Sequence, residues 1–161
     1  MFFGKDASGN GRKAIRRILV VEDEALVAFD NEHFLTGAGY VVVGTVASHA
    51  DAVALIAEEA IDLVIADVNL SGQEDGVAVA AFAQERDVAV LFVTGVCPLH
   101  ARHLAYGCLS KPYSQRDLLV SIEAIDALMR GKKRARRLPP GLSLFTAPPT
   151  TGDDALPQAD V

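Results

Sequence analysis

Between residues 18 and 129, short continuous apolar runs alternate with longer stretches of helical period, and no internal repeat breaks the alternation. Ile18 to Val21 is wholly apolar and ends at Glu22 and Asp23, the pattern of a parallel strand buried on both faces. Glu24 to Ala38 sets Val27 and Phe34 seven apart with Ala28 and Leu35 beside them, and Gly37 and Gly39 follow, which predicts a helix and its stop. A second strand is expected over Tyr40 to Val46, with Ser48 as the N-cap of a helix reaching about Glu59. Leu63 to Ala66 reads as a third buried strand closing on Asp67. After a polar loop from Asn69 to Asp75, Gly76 to Arg86 is an Ala- and Val-rich helix and Val88 to Val93 a fourth strand. Leu99 to Leu104 is expected as a short helix and Cys108 with Leu109 as a brief fifth strand. Ser114 caps a final helix to about Met129, with Leu118, Ile122 and Ile125 inward.

Strict alternation of strands and helices implies a parallel sheet, because right-handed crossovers lay the helices over both faces. In such sheets the chemistry sits at the strand C-termini. Strand one ends at Glu22 and Asp23, strand three at Asp67, strand four at Thr94, and strand five just before Lys111. All five side chains are expected on one rim.

The 161 residues are 50% hydrophobic and carry a net charge of −6, which excludes a wholly disordered chain and a wholly basic nucleic-acid binder. The charge is uneven. Residues 18 to 129 hold 4 basic and 17 acidic side chains, whereas residues 1 to 17 hold 5 and 1, and residues 130 to 161 hold 6 and 3. An acidic core repels bare phosphates unless a divalent cation reverses the local field. Three units are expected: a flexible basic segment over 1–16, one domain over 17–129, and a tail over 130–161 that is basic at first, then Pro/Gly-rich and mostly disordered. Its basic run reads as a solvated helix end favoured by the C-terminal dipole, so nucleic acid is not an expected partner. No apolar run reaches the roughly 18 residues of a membrane span, and no secretory leader is apparent, so a reduced cytoplasm is the expected compartment. Two cysteines make no disulfide scaffold, and Cys97 and Cys108 are too far apart in sequence for a CxxC motif.

Unpartnered carboxylates gathered at one edge repel one another, so the rim makes sense chiefly around a cation, and an all-oxygen set favours Mg2+ or Mn2+ over zinc. A lysine and a threonine hydroxyl beside them are donors suited to a phosphoryl oxygen. Asp67 is the best nucleophile, standing alone on a central strand while Glu22 and Asp23 form an adjacent cation-holding pair. Singly, each of these residues reads as well as a turn former or a helix-start carboxylate. Four strand ends that each deliver what phosphoryl transfer needs favour the chemical reading.

RILVVEDE at 17–24, DLVIADVNLSG at 62–72, LFVTG at 91–95 and LSKPY at 109–113 together resemble the receiver domain of two-component response regulators, across the whole core. The resemblance implies a flavodoxin-like, doubly wound, five-stranded parallel sheet of order 2-1-3-4-5. It implies a phosphoacceptor rather than a multiple-turnover enzyme, which takes a phosphoryl group from a kinase phosphohistidine with Mg2+. By position, Asp67 resembles the phosphoacceptor and Asp23 a direct metal ligand. Glu22 resembles an acidic partner acting through water, and Asn69 the donor of a metal-binding backbone carbonyl. Thr94 resembles the switch hydroxyl, Lys111 the phosphate-binding lysine, and Pro112 the residue after a cis peptide. A sensor histidine kinase or phosphotransfer protein, an unnamed output protein and a second copy of the chain are the partners so implied.

The sequence departs from that pattern in places. Most receivers have an aromatic residue three positions before the lysine, whereas here it is Cys108, read as a small core thiol with Tyr106 or Tyr113 as substitutes. Only 17 residues separate Thr94 from Lys111, so the fourth helix is short or irregular, and Pro98 and Gly107 mark the segment as the most mobile of the core. FVTG with DVNL resembles an alphaproteobacterial subgroup of single-domain receivers with an FATG-type motif, often paired with kinases of the HWE type, and Val93 replaces its Ala. His100 and His103, three apart, read as a solvated helix face. After Met129 no core for a winged helix is expected, so the output is contact with another protein. Two alternatives belong to other classes. A haloacid-dehalogenase-like phosphatase would need an acid two residues after the nucleophile, where Asn69 stands. A DNA-associated regulator would bind through the tail with a steep salt dependence.

Overall fold

The computed structural model describes residues 12–71, 73, 75–132 and 137–145. Its centre is β1 (Arg17–Val21), β3 (Leu63–Asp67) and β4 (Ala89–Thr94), strands so apolar that only a position covered on both faces suits them. Side chains alternate along each strand. Leu19, Val21, Val64, Ala66, Val90 and Phe92 enter one core layer, and Ile18, Val20, Leu63, Ile65, Leu91 and Val93 enter the other.

The remaining elements are β2 (Val41–Val46), β5 (Gly107–Ser110) and β6 (Leu142–Leu144), with helices α1 (Ala25–Gly37), α2 (His49–Glu58), α3 (Asp75–Glu85) and α4 (Gln115–Met129). The sheet order is β2-β1-β3-β4-β5-β6, parallel throughout except for the antiparallel β5–β6 pair. Leu35 of α1 and Leu118, Ile122 and Ile125 of α4 cover one face; Ala52 and Ile56 of α2 and Val79, Ala80 and Ala83 of α3 cover the other. The expected doubly wound order 2-1-3-4-5 is the one observed, and the irregular fourth helix is a 3-10 helix over Leu99–Leu104.

Local signals set the helix starts. Ser48 accepts the Asp51 N–H at 3.2 Å, and Ser114 accepts that of Asp117 at 3.0 Å while Asp117 returns a bond to the Ser114 N–H. On α1 the chain enters the helix at Ala25, with the Glu24 backbone extended and no side-chain cap.

Three expectations are corrected. Part of the tail returns to the sheet. Residues 137–145 lie against the fold and form β6 at Leu142–Leu144, where Leu142 meets Leu109 in register; Leu138 and Leu144 join the α1–α4 layer, and Phe145 joins the other. Four apolar side chains against an otherwise bare strand edge outweigh the Pro/Gly composition that suggested disorder. Residues 133–136 and 146–161 lie outside the described residues.

At the other end, the segment read as flexible over 1–16 is tied down from Ala14. Ile15 is fully buried, and the Asp126 carboxylate accepts the Ala14 and Ile15 N–H groups at 2.9 and 2.8 Å. The third correction concerns Cys108, which is no free thiol: it is disulfide-bonded to Cys97, their Cα atoms 6.0 Å apart. Phe92 faces Cys108 in the β4–β5 register, so the chain leaving β4 passes near β5 although the two cysteines are 11 positions apart in sequence. That bond fastens one end of the segment read as most mobile.

Candidate acidic phosphoryl site

Each strand end delivers the side chain its position foretold. Asp67 ends β3, Glu22 and Asp23 follow β1, Thr94 ends β4, and Lys111 follows β5. Glu22, Asp23 and Asp67 each place a carboxylate oxygen within 4.8 Å of the others. The burial is graded, with Glu22 and Asp67 at 2% and 6% exposure and Asp23 exposed to solvent. The cluster therefore has a buried floor and an open side.

Lys111 leans into this cluster. Its Nζ donates to Asp67 Oδ2 at 3.0 Å and to Glu22 Oε1 at 3.1 Å, and lies 3.7 Å from Glu24 Oε1. Burial works against its ammonium, but the Asp67 hydrogen bond and the Glu22 charge outweigh that, and its pKa rises above the ordinary lysine value. Glu22 is also pushed upward, chiefly by burial and then by the Asp67 charge, against the Glu24 N–H and Lys111, which favour its ionised form. One ammonium does not balance the formal charges of the three clustered carboxylates, which leaves the rim negative. A divalent cation matches that residue of charge, and hard oxygen donors match Mg2+ or Mn2+.

Backbone groups orient the acids. Asp67 Oδ1 accepts the Asn69 N–H at 3.1 Å, Glu22 Oε2 accepts the Glu24 N–H at 3.1 Å, and Asp23 Oδ2 accepts the Ser71 N–H at 2.7 Å. The Ser71 bond joins the loop after β3 to the loop after β1. Ser71 reaches it with φ of 56°, a left-handed conformation uncommon for serine. Sequence reasoning missed this contact; the Ser-Gly dipeptide at 71–72 was the available turn signal.

It also missed Gly76, where an added Cβ would lie 1.9 Å from the Asp67 carbonyl oxygen. Only glycine lets the start of α3 pass so close beneath the end of β3.

Thr94 completes the rim. Its carbonyl accepts the Lys111 N–H at 2.8 Å, and the Lys111–Pro112 peptide is cis. Its hydroxyl is buried and has no hydrogen-bond partner among the described residues, a state that costs about 1–3 kcal/mol when no ligand supplies one. Tyr113, offered as a stand-in aromatic, instead accepts a hydrogen bond from Asn31 of α1 at 3.0 Å, and burial raises its phenol pKa. His103 is exposed, and neither it nor His100 belongs to a metal-holding group among the described residues.

Comparison with known proteins agrees with this arrangement. The family model described as the response regulator receiver domain matches residues 18–123. The transcriptional regulatory protein PdtaR of Mycobacterium tuberculosis is 33% identical over 115 residues, covering 67% of this chain and 55% of its own length. The phyllosphere-induced regulator PhyR of Methylorubrum extorquens is 34% identical over 79 residues, 48% of this chain and 30% of its own. The chain thus spans about half the length of the mycobacterial relative, and less of the second. A CheY-like receiver domain protein from Methanospirillum hungatei superposes with a TM-score of 0.65 at 25% identity, covering 73% of this chain and 98% of that one. A response regulator receiver protein from Sinorhizobium medicae gives 0.59 at 28% identity, covering 69% and 94%. The order of its strands, the acids at their ends and the span of the match together make this chain a member of the response regulator receiver domain family of two-component signalling.

Proposed function

We propose that the chain accepts a phosphoryl group on Asp67 from the phosphohistidine of a sensor histidine kinase or phosphotransfer protein, and that this switches its contact with an output protein. The observation that carries the reading is the pair of donors around one carboxylate: Lys111 Nζ on Asp67, and the buried Thr94 hydroxyl that has no partner among the described residues. Glu22, Asp23, Asp67 and the Asn69 carbonyl would hold Mg2+, which would neutralise charge between the carboxylate and the incoming phosphoryl oxygens.

In the transfer, a carboxylate oxygen of Asp67 bonds to phosphorus as the P–N bond breaks, and its electron pair stays on the donor imidazole. The Asn69 N–H fixes Asp67 Oδ1, which favours Oδ2 as the attacking atom. Lys111 gives up a carboxylate contact and takes a phosphoryl oxygen, the stronger concentration of negative charge. Thr94 gains the acceptor it lacks by turning toward another of those oxygens. The rearranged end of β4 then carries the change toward the 3-10 segment and β5. The 3-10 helix at Leu99–Leu104 supports the FATG-type subgroup within the family. The phosphatase alternative finds no acid at Asn69 to protonate a leaving group.

Incubation with Mg2+ and acetyl phosphate, followed by intact mass, tests the reading. Wild type is expected to gain one phosphoryl group and Asp67→Asn none. An adduct that persists in Asp67→Asn removes Asp67 as acceptor, and rapid multiple turnover identifies a phosphatase instead.

A further inference from the structure

The disulfide lies between the two groups that flank Asp67. Cys97 follows Thr94 by three residues and Cys108 precedes Lys111 by three, while Thr94 pairs with Ser110 in the sheet and its carbonyl holds the Lys111 N–H. The bond closes residues 97–108 into a short ring containing the whole 3-10 helix. The start of that ring is unevenly packed. Val96 and Leu99 are 81% and 70% exposed, whereas Pro98 between Cys97 and Leu99 is buried, and Ala101, Leu104 and Ala105 anchor the chain further on. A covalent tie at Cys97 therefore adds a constraint to a stretch held by few buried side chains.

Access to the two sulfurs is unequal. Cys108 is fully buried in the α2–α3 layer, whereas Cys97 is half-buried at the surface.

We propose that Cys97 and Cys108 form a reversible redox-modification site, reduced by dithiols and re-formed by small disulfides, whose state fixes or frees residues 95–106 beside the reactive aspartate. A dithiol's thiolate attacks the accessible Cys97 sulfur, the S–S bond breaks, and Cys108 leaves as a thiolate that takes up a proton. The reagent's second thiol then attacks the mixed disulfide, releasing Cys97 as a thiol and closing the reagent into its own disulfide. Two electrons and two protons pass from reagent to protein. In the reverse direction a small disulfide is reduced to two thiols as the protein bond re-forms.

The consequence for Asp67 rests on the phosphoacceptor reading above. Thr94 must shift to meet a phosphoryl oxygen, and a chain pinned three residues later resists that shift. The oxidised protein is therefore the slower acceptor.

The experiment compares the full chain with and without dithiothreitol, in three readouts without denaturant. Iodoacetamide should add at least one group, first at Cys97, after reduction and none before. Deuterium uptake over 95–106 should be on the order of tenfold faster in the reduced protein. Its phosphorylation by acetyl phosphate with Mg2+ should be faster by a similar factor. A Cys97→Ser, Cys108→Ser double variant should exchange like reduced wild type whatever the reagent. Cysteines that stay unreactive after native dithiol treatment, alkylation without any reductant, or equal uptake in the two states would each overturn the site. An adduct whose rate ignores redox state overturns the coupling to Asp67. Absence of any adduct in both states defeats the phosphoacceptor reading instead, and the uptake comparison, made without phosphodonor, still decides the redox site.

Discussion

At the scale of single residues, Thr94 carries a buried hydroxyl with no hydrogen-bond partner among the described residues, which opposes folding of the chain. On the phosphoacceptor reading proposed above, a phosphoryl oxygen would supply the missing bond. Thr94→Val keeps the shape and removes the polar atom. It is expected to raise unfolding free energy by roughly 1 kcal/mol in denaturant titration without phosphodonor, and to shorten the lifetime of the phosphorylated form. Gly76 makes the opposite case, a residue kept for what it lacks. With its would-be Cβ 1.9 Å from the Asp67 carbonyl, Gly76→Ala must displace α3 or the end of β3. A loss of about 2–4 kcal/mol is expected, together with impaired phosphorylation at Asp67, measured by the same denaturant and mass experiments. Asp67, Glu22, Asp23 and Lys111 were legible because each ends an apolar run. Gly76 and Ser71 were not, because their importance comes from contacts with residues distant in the chain.

At the scale of elements, the strands and helices announced themselves through period and caps, with boundaries within a residue or two of the observed ones. What the pattern could not announce was β6. Leu142–Leu144 is too short for periodicity to register, and it becomes a strand only because β5 offers an unpaired edge. Its fit is close: a Cβ on Gly107 would lie 2.8 Å from the Ser143 carbonyl. Truncation after Lys132 is expected to uncover that edge and the side chains beneath Leu138 and Leu142. The shortened chain should unfold several degrees lower in a thermal scan and self-associate in sedimentation as its concentration rises. An unchanged midpoint and a persistent monomer would mean that the strap contributes nothing to the fold.

At the scale of the whole molecule, the acidic core and its basic flanks follow from counting charges, and the structure adds where the imbalance is greatest. Three acids converge at one end of the sheet and a single lysine only partly offsets them. A cation bound there should stabilise the fold by mass action. Mg2+ at a hundredfold excess over its dissociation constant should add about 2.7 kcal/mol relative to chelated protein, and Asp23→Asn should lose most of that increment in paired thermal melts with Mg2+ and with EDTA. Among the described residues no helix is long and apolar enough to cross a membrane.

The amino-acid order alone settled the alternation of strands and helices, hence a parallel sheet and a rim where particular acids, a threonine and a lysine had to gather. Local propensity and hydrophobic period act over a few residues, and those carry directly into sequence. Tertiary structure decided what depends on pairs far apart in the chain: Cys97 bonded to Cys108, Ile15 anchored on Asp126, Ser71 holding Asp23, and a tail segment completing the sheet. Such contacts arise from proximity that exists only after the chain has collapsed around its core, so no reading of neighbours along the chain could have supplied them.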